Sequence, residues 1–218
     1  VRGYGLVDLG RIDVHVRDAL APGEILHRDS AGNVQSITPG AINLMVAGRG
    51  IAHSERSPET LRQGSHSVHG LQLWQALPVE EEETTATFHH YPLEGIPVIT
   101  QHGVQKRLLI GEAFGQKSPV NTFTQTLFAE YYLQAEQSAV IPKGVEELAV
   151  YAVDSKLRVN NEIIPPRCLA ILTTQSRQIH ADNATRVVFI GGLALGKRYM
   201  WWNFVSSRKE RIQKAIND

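Results

Sequence analysis

A histidine and a glutamate two positions apart are the residues of this chain best suited to metal chemistry. His53 and Glu55 lie in the stretch 51–55, which reads IAHSE and follows a Gly-Arg-Gly turn. We predict a strand here, and alternate side chains of a strand point to the same face. An imidazole and a carboxylate on one face are suitable ligands for Fe(II) or another divalent transition metal.

Two ligands are too few for a stable site, so further histidines must come from a neighbouring strand. The alternative is that His53 and Glu55 form a hydrogen-bonded structural pair at the mouth of a barrel. His27 precedes a predicted turn and is expected to be exposed or a wall residue.

The same pattern recurs in the second half of the chain. His180 is followed two positions later by Asp182, and Pro166 precedes His180 by fourteen residues, as Pro39 precedes His53. A shared turn, strand and His-x-acid pattern indicates one architectural unit used twice. The second half shows no earlier histidine pair, so we expect its His-x-acid pair to be structural.

The elements that must position these residues are short strands. Apolar runs are interrupted by Gly, Pro and Asn turns about every ten residues, which predicts an all-β sandwich or barrel. We place a first barrel in residues 1–110, a linker in 111–121 and a second barrel in 122–206. Residues 207–218 are predicted to form a short terminal helix, because Ser207 and Glu210 have the spacing of a capping box.

Composition excludes several classes of protein. Lys plus Arg and Asp plus Glu number 22 each, so net charge gives no reason to expect nucleic acid or an anionic membrane as a partner. No apolar run approaches the roughly 20 residues of a membrane helix, and we expect no signal peptide. The single cysteine, Cys168, favours a reducing compartment such as the cytoplasm and is expected to be a core residue. The four consecutive glutamates at 80–83 predict a solvated loop. The three tryptophans are expected to pack in the core or between the barrels.

Longer motifs resemble those of the pirin family. They are ILHRDSAGN (25–33), TPG (38–40), AGRGIAHSE (47–55), GLQLW (70–74), LP (77–78), SPV (118–120), GG (191–192) and WWNFVS (201–206). The resemblance runs from about Gly23 to the C-terminus. It implies two jelly-roll-like cupin barrels in tandem, with a metal in the N-terminal barrel only.

The resemblance also implies a ligand set and an activity. In this family a His-x-His pair on an early strand joins a His-x-Glu pair, which here is His53 and Glu55. The metal is typically iron, and some members open flavonols such as quercetin with dioxygen, as quercetin 2,3-dioxygenases. In that reaction Glu55 would be both ligand and proton acceptor. Other members act through protein partners.

The chain departs from the family pattern where the early histidine pair should lie. Counting back from Gly23 places that pair near positions 9 and 11, which hold Leu9 and Arg11. Residues 8–22 show no family-like sequence, as a frame error, a pseudogene-like lesion or an assembly artefact would each produce. His15 is the one histidine there and could be a substitute ligand if the strand were shifted in register.

Three functions therefore compete. The chain could be an iron-dependent dioxygenase acting on a flavonol-like aromatic. It could instead be a regulatory module that binds another protein and does not need the metal. It could also be a damaged copy whose first strand is missing or mispaired, which would leave an exposed sheet edge. We favour retention of the fold with impaired metal binding.

Overall fold

The fold is almost entirely β. The structure is a computed structural model, and it describes residues 6–8, 11–17, 23–64 and 67–218, the first two ranges as backbone only. The chain divides into two compact units, Val1–Leu93 with Leu195–Asp218, and Glu94–Ala194. The predicted all-β class with a short terminal helix is confirmed.

The first unit begins with eight strands and one helical turn. They are β1 (Leu6–Asp8), β2 (Arg11–Arg17), β3 (Ile25–Asp29), β4 (Val34–Ile37), β5 (Ile42–Val46), β6 (Ile51–Arg56), α1 (Glu59–Arg62), β7 (Gly70–Ala76) and β8 (Thr87–Tyr91). They form two antiparallel sheets, with strand orders β1-β6-β3-β4 and β7-β2-β5-β8. Because β2 lies between β5 and β7, and β1 pairs with β6, the first strands that a damaged copy would lack are present.

The second unit contains twelve strands. They are β9 (Val98–Gln101), β10 (Val104–Ile110), β11 (Glu112–Ala113), β12 (Gln116–Lys117), β13 (Thr126–Leu133), β14 (Gln137–Val140), β15 (Glu147–Ala152), β16 (Leu157–Val159), β17 (Glu162–Ile164), β18 (Leu169–Ile171), β19 (Gln178–Ala181) and β20 (Thr185–Gly192). The main sheets have the orders β18-β15-β20-β13-β10-β9 and β14-β19-β16-β17, and β11 and β12 form a hairpin. A core that includes Tyr131, Phe189 and Ile179 fills this unit.

The boundary between the units differs from the one inferred from the sequence. Strands β9 and β10, expected at the end of the first barrel, join the large sheet of the second unit. The reason is long-range pairing, since β10 pairs with β13 from Gln105 opposite Tyr132 to Ile110 opposite Phe128. Residues 111–121, predicted to be a linker, include the β11–β12 hairpin of the same unit.

The two units repeat one strand order. In the sheet β1-β6-β3-β4 the strand that carries His53 lies between the first strand and β3. In β14-β19-β16-β17 the strand that carries His180 occupies the same place. The order β7-β2-β5 of the other sheet matches β20-β15-β18 in the second unit. This agreement supports the duplication inferred from the His-x-acid spacing.

The last residues return to the first unit. They form β21 (Tyr199–Trp201), β22 (Phe204–Ser206) and α2 (Lys209–Asn217), and Ile212 of the helix packs against Phe204. The helix begins after Arg208 without a side-chain cap, so the predicted Ser207–Glu210 capping box does not form. The backbone amide of Ser207 instead donates to the Glu82 carboxylate, at 2.7 Å.

Glu82 does not lie in a solvated loop. Its side chain is 1% exposed and accepts a hydrogen bond from the Ser206 hydroxyl at 2.8 Å. The Nε atom of Arg198 lies 3.2 Å from Glu82 Oε1, and Nη1 of Arg211 lies 3.9 Å from Oε2. The neighbouring Glu80 and Glu83 are exposed, so only one glutamate of the run is buried.

In the part of the chain that the structure describes, every helix is too short or too polar to span a membrane.

Candidate metal centre

Strands β3 and β6 bring two histidines and two carboxylates to one face of the first unit. Their antiparallel register places His27 opposite Glu55 and Asp29 opposite His53. Opposed residues of paired strands share a face, so the four side chains lie on the same side of the sheet. The sequence interpretation of His53 and Glu55 as same-face residues of one strand is therefore confirmed.

The turn after β3 holds Asp29 in place. Its Oδ1 atom accepts hydrogen bonds from the backbone amides of Ala31 and Asn33, each at 3.0 Å. The side-chain amide of Asn33 donates to Oδ2 at 2.8 Å. Gly32 adopts a φ of +90°, a left-handed conformation that glycine tolerates without strain. The Asp-Ser-Ala-Gly-Asn turn thus holds the Asp29 carboxylate in a fixed position at the end of β3.

His27 is the candidate ligand that sequence reasoning undervalued. Its ring is buried, with 1% exposure. Of the two expectations from the sequence, an exposed residue or a residue of the barrel wall, burial excludes the first. Nε2 donates to Asp29 Oδ2 at 3.2 Å, and Nδ1 lies 3.7 Å from Glu55 Oε1. Phe88 stacks on the ring at 4.3 Å between centroids. A signal was available, because the alternation of β3 places positions 27 and 29 on one face.

His53 lies beside His27. Its side chain is buried, with 3% exposure, and the two imidazole rings stack at 5.6 Å between centroids. The residue therefore points inward, which is the condition on which a metal centre depends. Position 53 also pairs with Leu6 of β1, so β6 is a central strand of its sheet.

The Asp29 carboxylate is kept ionised. Burial raises its pKa, but hydrogen bonds from Asn33 and His27 outweigh burial and hold the pKa below the ordinary value for aspartate. An ionised acceptor at Nε2 keeps the proton of neutral His27 on that nitrogen. The Nδ1 lone pair then faces Glu55.

A polar pair, of buried Asn43 and half-buried His90, lines the adjacent sheet. His90 Nδ1 donates to Asn43 Oδ1 at 2.7 Å, and the two residues are directly opposed on β8 and β5. His90 is two positions from Phe88, the ring that stacks on His27, so it lies on the same face of β8. Burial lowers the pKa of His90, which favours its neutral form. His89 is exposed, as expected for the neighbouring position of a regular strand.

The positions expected to carry the early histidine pair give no ligand assignment. Leu9 lies outside the described residues. Arg11 begins β2 and pairs with Ala76, while position 15 pairs with Asn43 and Gln72. The side chains of Arg11 and His15 lie outside the described part of the structure.

A divalent transition metal suits the residues that are described. Histidine ligands commonly donate their second ring nitrogen to a carboxylate, and His27 makes that contact with Asp29. His27, His53 and Glu55 supply two nitrogen donors and one carboxylate, the set that suits non-haem Fe(II) with open positions. Their donor atoms are spread more widely than a closed site requires, because the three do not converge within 4.8 Å.

The second unit has a cluster with tighter spacing. Ligand atoms of Glu136, His180 and Asp182 lie within 4.8 Å of one another. Two positively charged side chains already contact the Asp182 carboxylate, however. Lys156 Nζ lies 3.0 Å from it, and Arg158 donates a hydrogen bond to it. The hydrogen bond from Lys156 is the main cause of a pKa of Asp182 below its ordinary value. A metal cation here would be repelled by both side chains.

Strand pairing explains why the two units differ. Arg158 opposes the histidine of β19 as Asp29 opposes the histidine of β6. Two positions earlier, Lys156 stands where the first unit has His27. The second unit therefore has two cations at the positions where the first has a candidate ligand and the carboxylate that contacts it, which agrees with a structural role for its His-x-acid pair.

Sequence comparison assigns the family. The Pirin family profile matches residues 7–75, and that of the Pirin C-terminal cupin domain matches residues 128–218. A pirin-like protein of Caulobacter vibrioides is 37% identical over 202 residues, covering 91% of this chain and 69% of the relative. The chain belongs to the pirin family. The match begins at residue 7, so family-like sequence starts earlier than the expected Gly23.

Other pirin relatives carry an enzyme name. A Pseudomonas aeruginosa protein provisionally named quercetin 2,3-dioxygenase is 36% identical over 88% of this chain and 61% of its own length. The crystal structure of a quercetin 2,3-dioxygenase from Acinetobacter baumannii superimposes with a TM-score of 0.90 at 24% identity. It covers 98% of this chain and 76% of that protein, which confirms the tandem cupin fold.

Proposed function

We propose that this pirin-family protein is a metal-dependent dioxygenase of the quercetin 2,3-dioxygenase type, acting on a flavonol-like aromatic. Its N-terminal barrel holds Fe(II) or another divalent transition metal through His53, Glu55 and His27, with an incomplete ligand set relative to the family. The observation that carries the proposal is the orientation of His27. Its Nε2 atom is bonded to Asp29 and its Nδ1 atom faces the Glu55 carboxylate at 3.7 Å.

The roles of the residues follow from their burial. His27 and His53 are enclosed, so they are suited to holding an ion and unsuited to exchanging protons with solvent. The Glu55 side chain retains 18% exposure and can accept the proton of an incoming phenolic hydroxyl. When bound, the metal supplies a Lewis acid that polarises a substrate oxygen. Phe88 stacks on the His27 ring and covers one face of it.

Metal analysis of matched variants tests the proposal. Wild-type protein loaded anaerobically with Fe(II) and freed of excess ion should retain metal, and His53→Ala should bind it more than about 100-fold more weakly, because a direct ligand is lost. Quercetin consumption should fall in parallel. His180→Ala is the matched control, since it removes the equivalent histidine of the second unit. If the wild-type protein retains no metal at neutral pH with excess Fe(II), the proposed metal-dependent activity is eliminated.

A second variant tests the support of His27. Asp29→Asn keeps an oxygen that can accept from Ala31 and Asn33, but its amide donates to His27 Nε2 and moves the proton to Nδ1. We expect metal affinity to fall about 10–100-fold, while the unfolding free energy changes by only about 1 kcal/mol. Calorimetric titration with Ni(II) and urea unfolding measure the two quantities. Unchanged affinity would exclude His27 as a ligand.

A regulatory module is the second candidate, and exposed apolar residues favour it. Met200, Trp201 and Trp202 are exposed by 68%, 50% and 72%, and Trp74 is exposed by 46%, so none of the three tryptophans is the core residue expected from the sequence. Contiguous apolar surface of this kind often marks a protein interface. Under this alternative His53→Ala keeps partner binding and Trp202→Ala loses it.

A further inference from the structure

A buried lysine in the second unit has no role in the metal centre. Lys106 lies on β10 and is 4% exposed. Its Nζ atom donates to Gln101 Oε1 at 2.9 Å. The same nitrogen lies 4.6 Å from the ring centroid of Phe114 and 5.0 Å from that of Tyr131. Two aromatic faces and one amide therefore surround the ammonium group.

The charge of Lys106 is only partly compensated. Among residues 23–64 and 67–218, no carboxylate lies within ion-pair distance of its Nζ atom. Burial lowers the pKa of the ammonium below its ordinary value, and the aromatic faces recover part of the cost of burying it. A buried cation of this kind gains much from an anion that reaches it, because attraction strengthens as water is excluded.

A cavity gives access to this cation. It has a volume of about 580 Å³ and lies wholly within the second unit. Its lining includes Lys106, Phe114, Val104, Ile141 and, at the surface, Lys143. Among the lining residues that the structure describes, the two lysines are the only charged ones, apart from the titratable His102. The volume is in the range of small-molecule sites, and the lining joins positive charge to apolar surface.

We propose that this cavity is a second small-molecule site, which binds a small carboxylate with a flat apolar body. The carboxylate contacts the Lys106 ammonium, and the apolar body packs against Phe114, Val104 and Ile141. Lys143 at the surface adds attraction for an approaching anion. The site is separate from the metal centre, because every lining residue belongs to the second unit, and it does not depend on the proposed dioxygenase activity.

Benzoate and its neutral analogue benzamide test the site on the full chain. Calorimetry should detect benzoate binding at least about tenfold tighter than benzamide, because only benzoate carries the charge. Lys106→Met keeps the length and apolar stem of the side chain and should abolish the preference. Lys143→Met, the control at the surface, should weaken benzoate binding less than Lys106→Met. Metal removal and His53→Ala should leave benzoate binding unchanged.

A chemical footprint on the wild-type protein makes the test independent of any variant. Benzoate, and not benzamide, should protect Lys106 from acetylation by acetic anhydride, as read by peptide mass spectrometry. Exposed Lys117 serves as the internal control, since it should be acetylated equally in both cases. Equal affinity for benzoate and benzamide, full benzoate binding by Lys106→Met, or no protection of Lys106 would each overturn the proposal.

Discussion

Replacing Glu82 with alanine is expected to lower the unfolding free energy of the first unit by about 3–5 kcal/mol. The substitution removes the carboxylate beside the largely buried guanidinium group of Arg198, whereas Arg211 keeps its ion pair with exposed Glu83. It also removes the acceptor for the Ser206 hydroxyl and the Ser207 amide, which attach the C-terminal segment. Urea unfolding followed by tryptophan fluorescence measures the change, because all three tryptophans belong to the first unit.

The same glutamate run supplies the control for this experiment. Glu80→Ala removes an exposed carboxylate two positions away and should change the unfolding free energy by less than about 0.5 kcal/mol. Truncation after Ser206, which deletes α2, should produce a loss comparable with that of Glu82→Ala if the carboxylate acts by fixing the helix. A Glu82→Ala variant as stable as Glu80→Ala would show that the buried ion pairs contribute nothing to stability.

Gly111→Ala should destabilise the second unit by about 2–5 kcal/mol. Gly111 has a φ of +91°, where a Cβ costs roughly 1–2 kcal/mol. The added Cβ would also overlap the carbonyl oxygen of Thr126, and such overpacking costs about 1–3 kcal/mol. The position directly follows the register shift of β10 against β13, which lies between Leu108 and Ile110. Amide hydrogen exchange of β10 and β13 reports the loss locally.

Gly115→Ala separates the two causes. Gly115 also has a positive φ, of +73°, but an added Cβ would meet no atom within 4 Å. This variant should therefore show only the conformational cost of about 1–2 kcal/mol. Equal destabilisation by Gly111→Ala and Gly115→Ala would mean that the Thr126 carbonyl moves aside and that the close approach has little effect.

The local sequence pattern predicted the burial of some side chains correctly and of others incorrectly. The alternation of IAHSE correctly placed His53 on the inner face of β6. The apolar run that begins at Cys168 suggested a core strand, yet Cys168 is exposed and Ile171 is 84% exposed. That run forms β18, an edge strand of its sheet, and hydrophobicity alone does not distinguish an edge strand from a central one.

Residues that depend on distant partners were the hardest to predict. Glu82 lies in a run of four acids that favours solvent, and its burial follows from two arginines more than a hundred positions later. The alternation of β3 places His27 and Asp29 on one face, but this signal is no stronger than that of any ordinary strand. The importance of His27 comes from the register of β3 against β6 and from the covering ring of Phe88.

The sequence by itself determined the β class, the two related halves and the His-x-acid strand in each, because turn residues and two-residue alternation are local properties of the chain. Only the tertiary structure decided that His27 and Asp29 face His53 and Glu55, whereas Lys156 and Arg158 take those places in the second unit. The physical reason is that strand register and charge pairing join residues far apart in the chain. Local pattern constrains which face a residue occupies but not which residue it meets there.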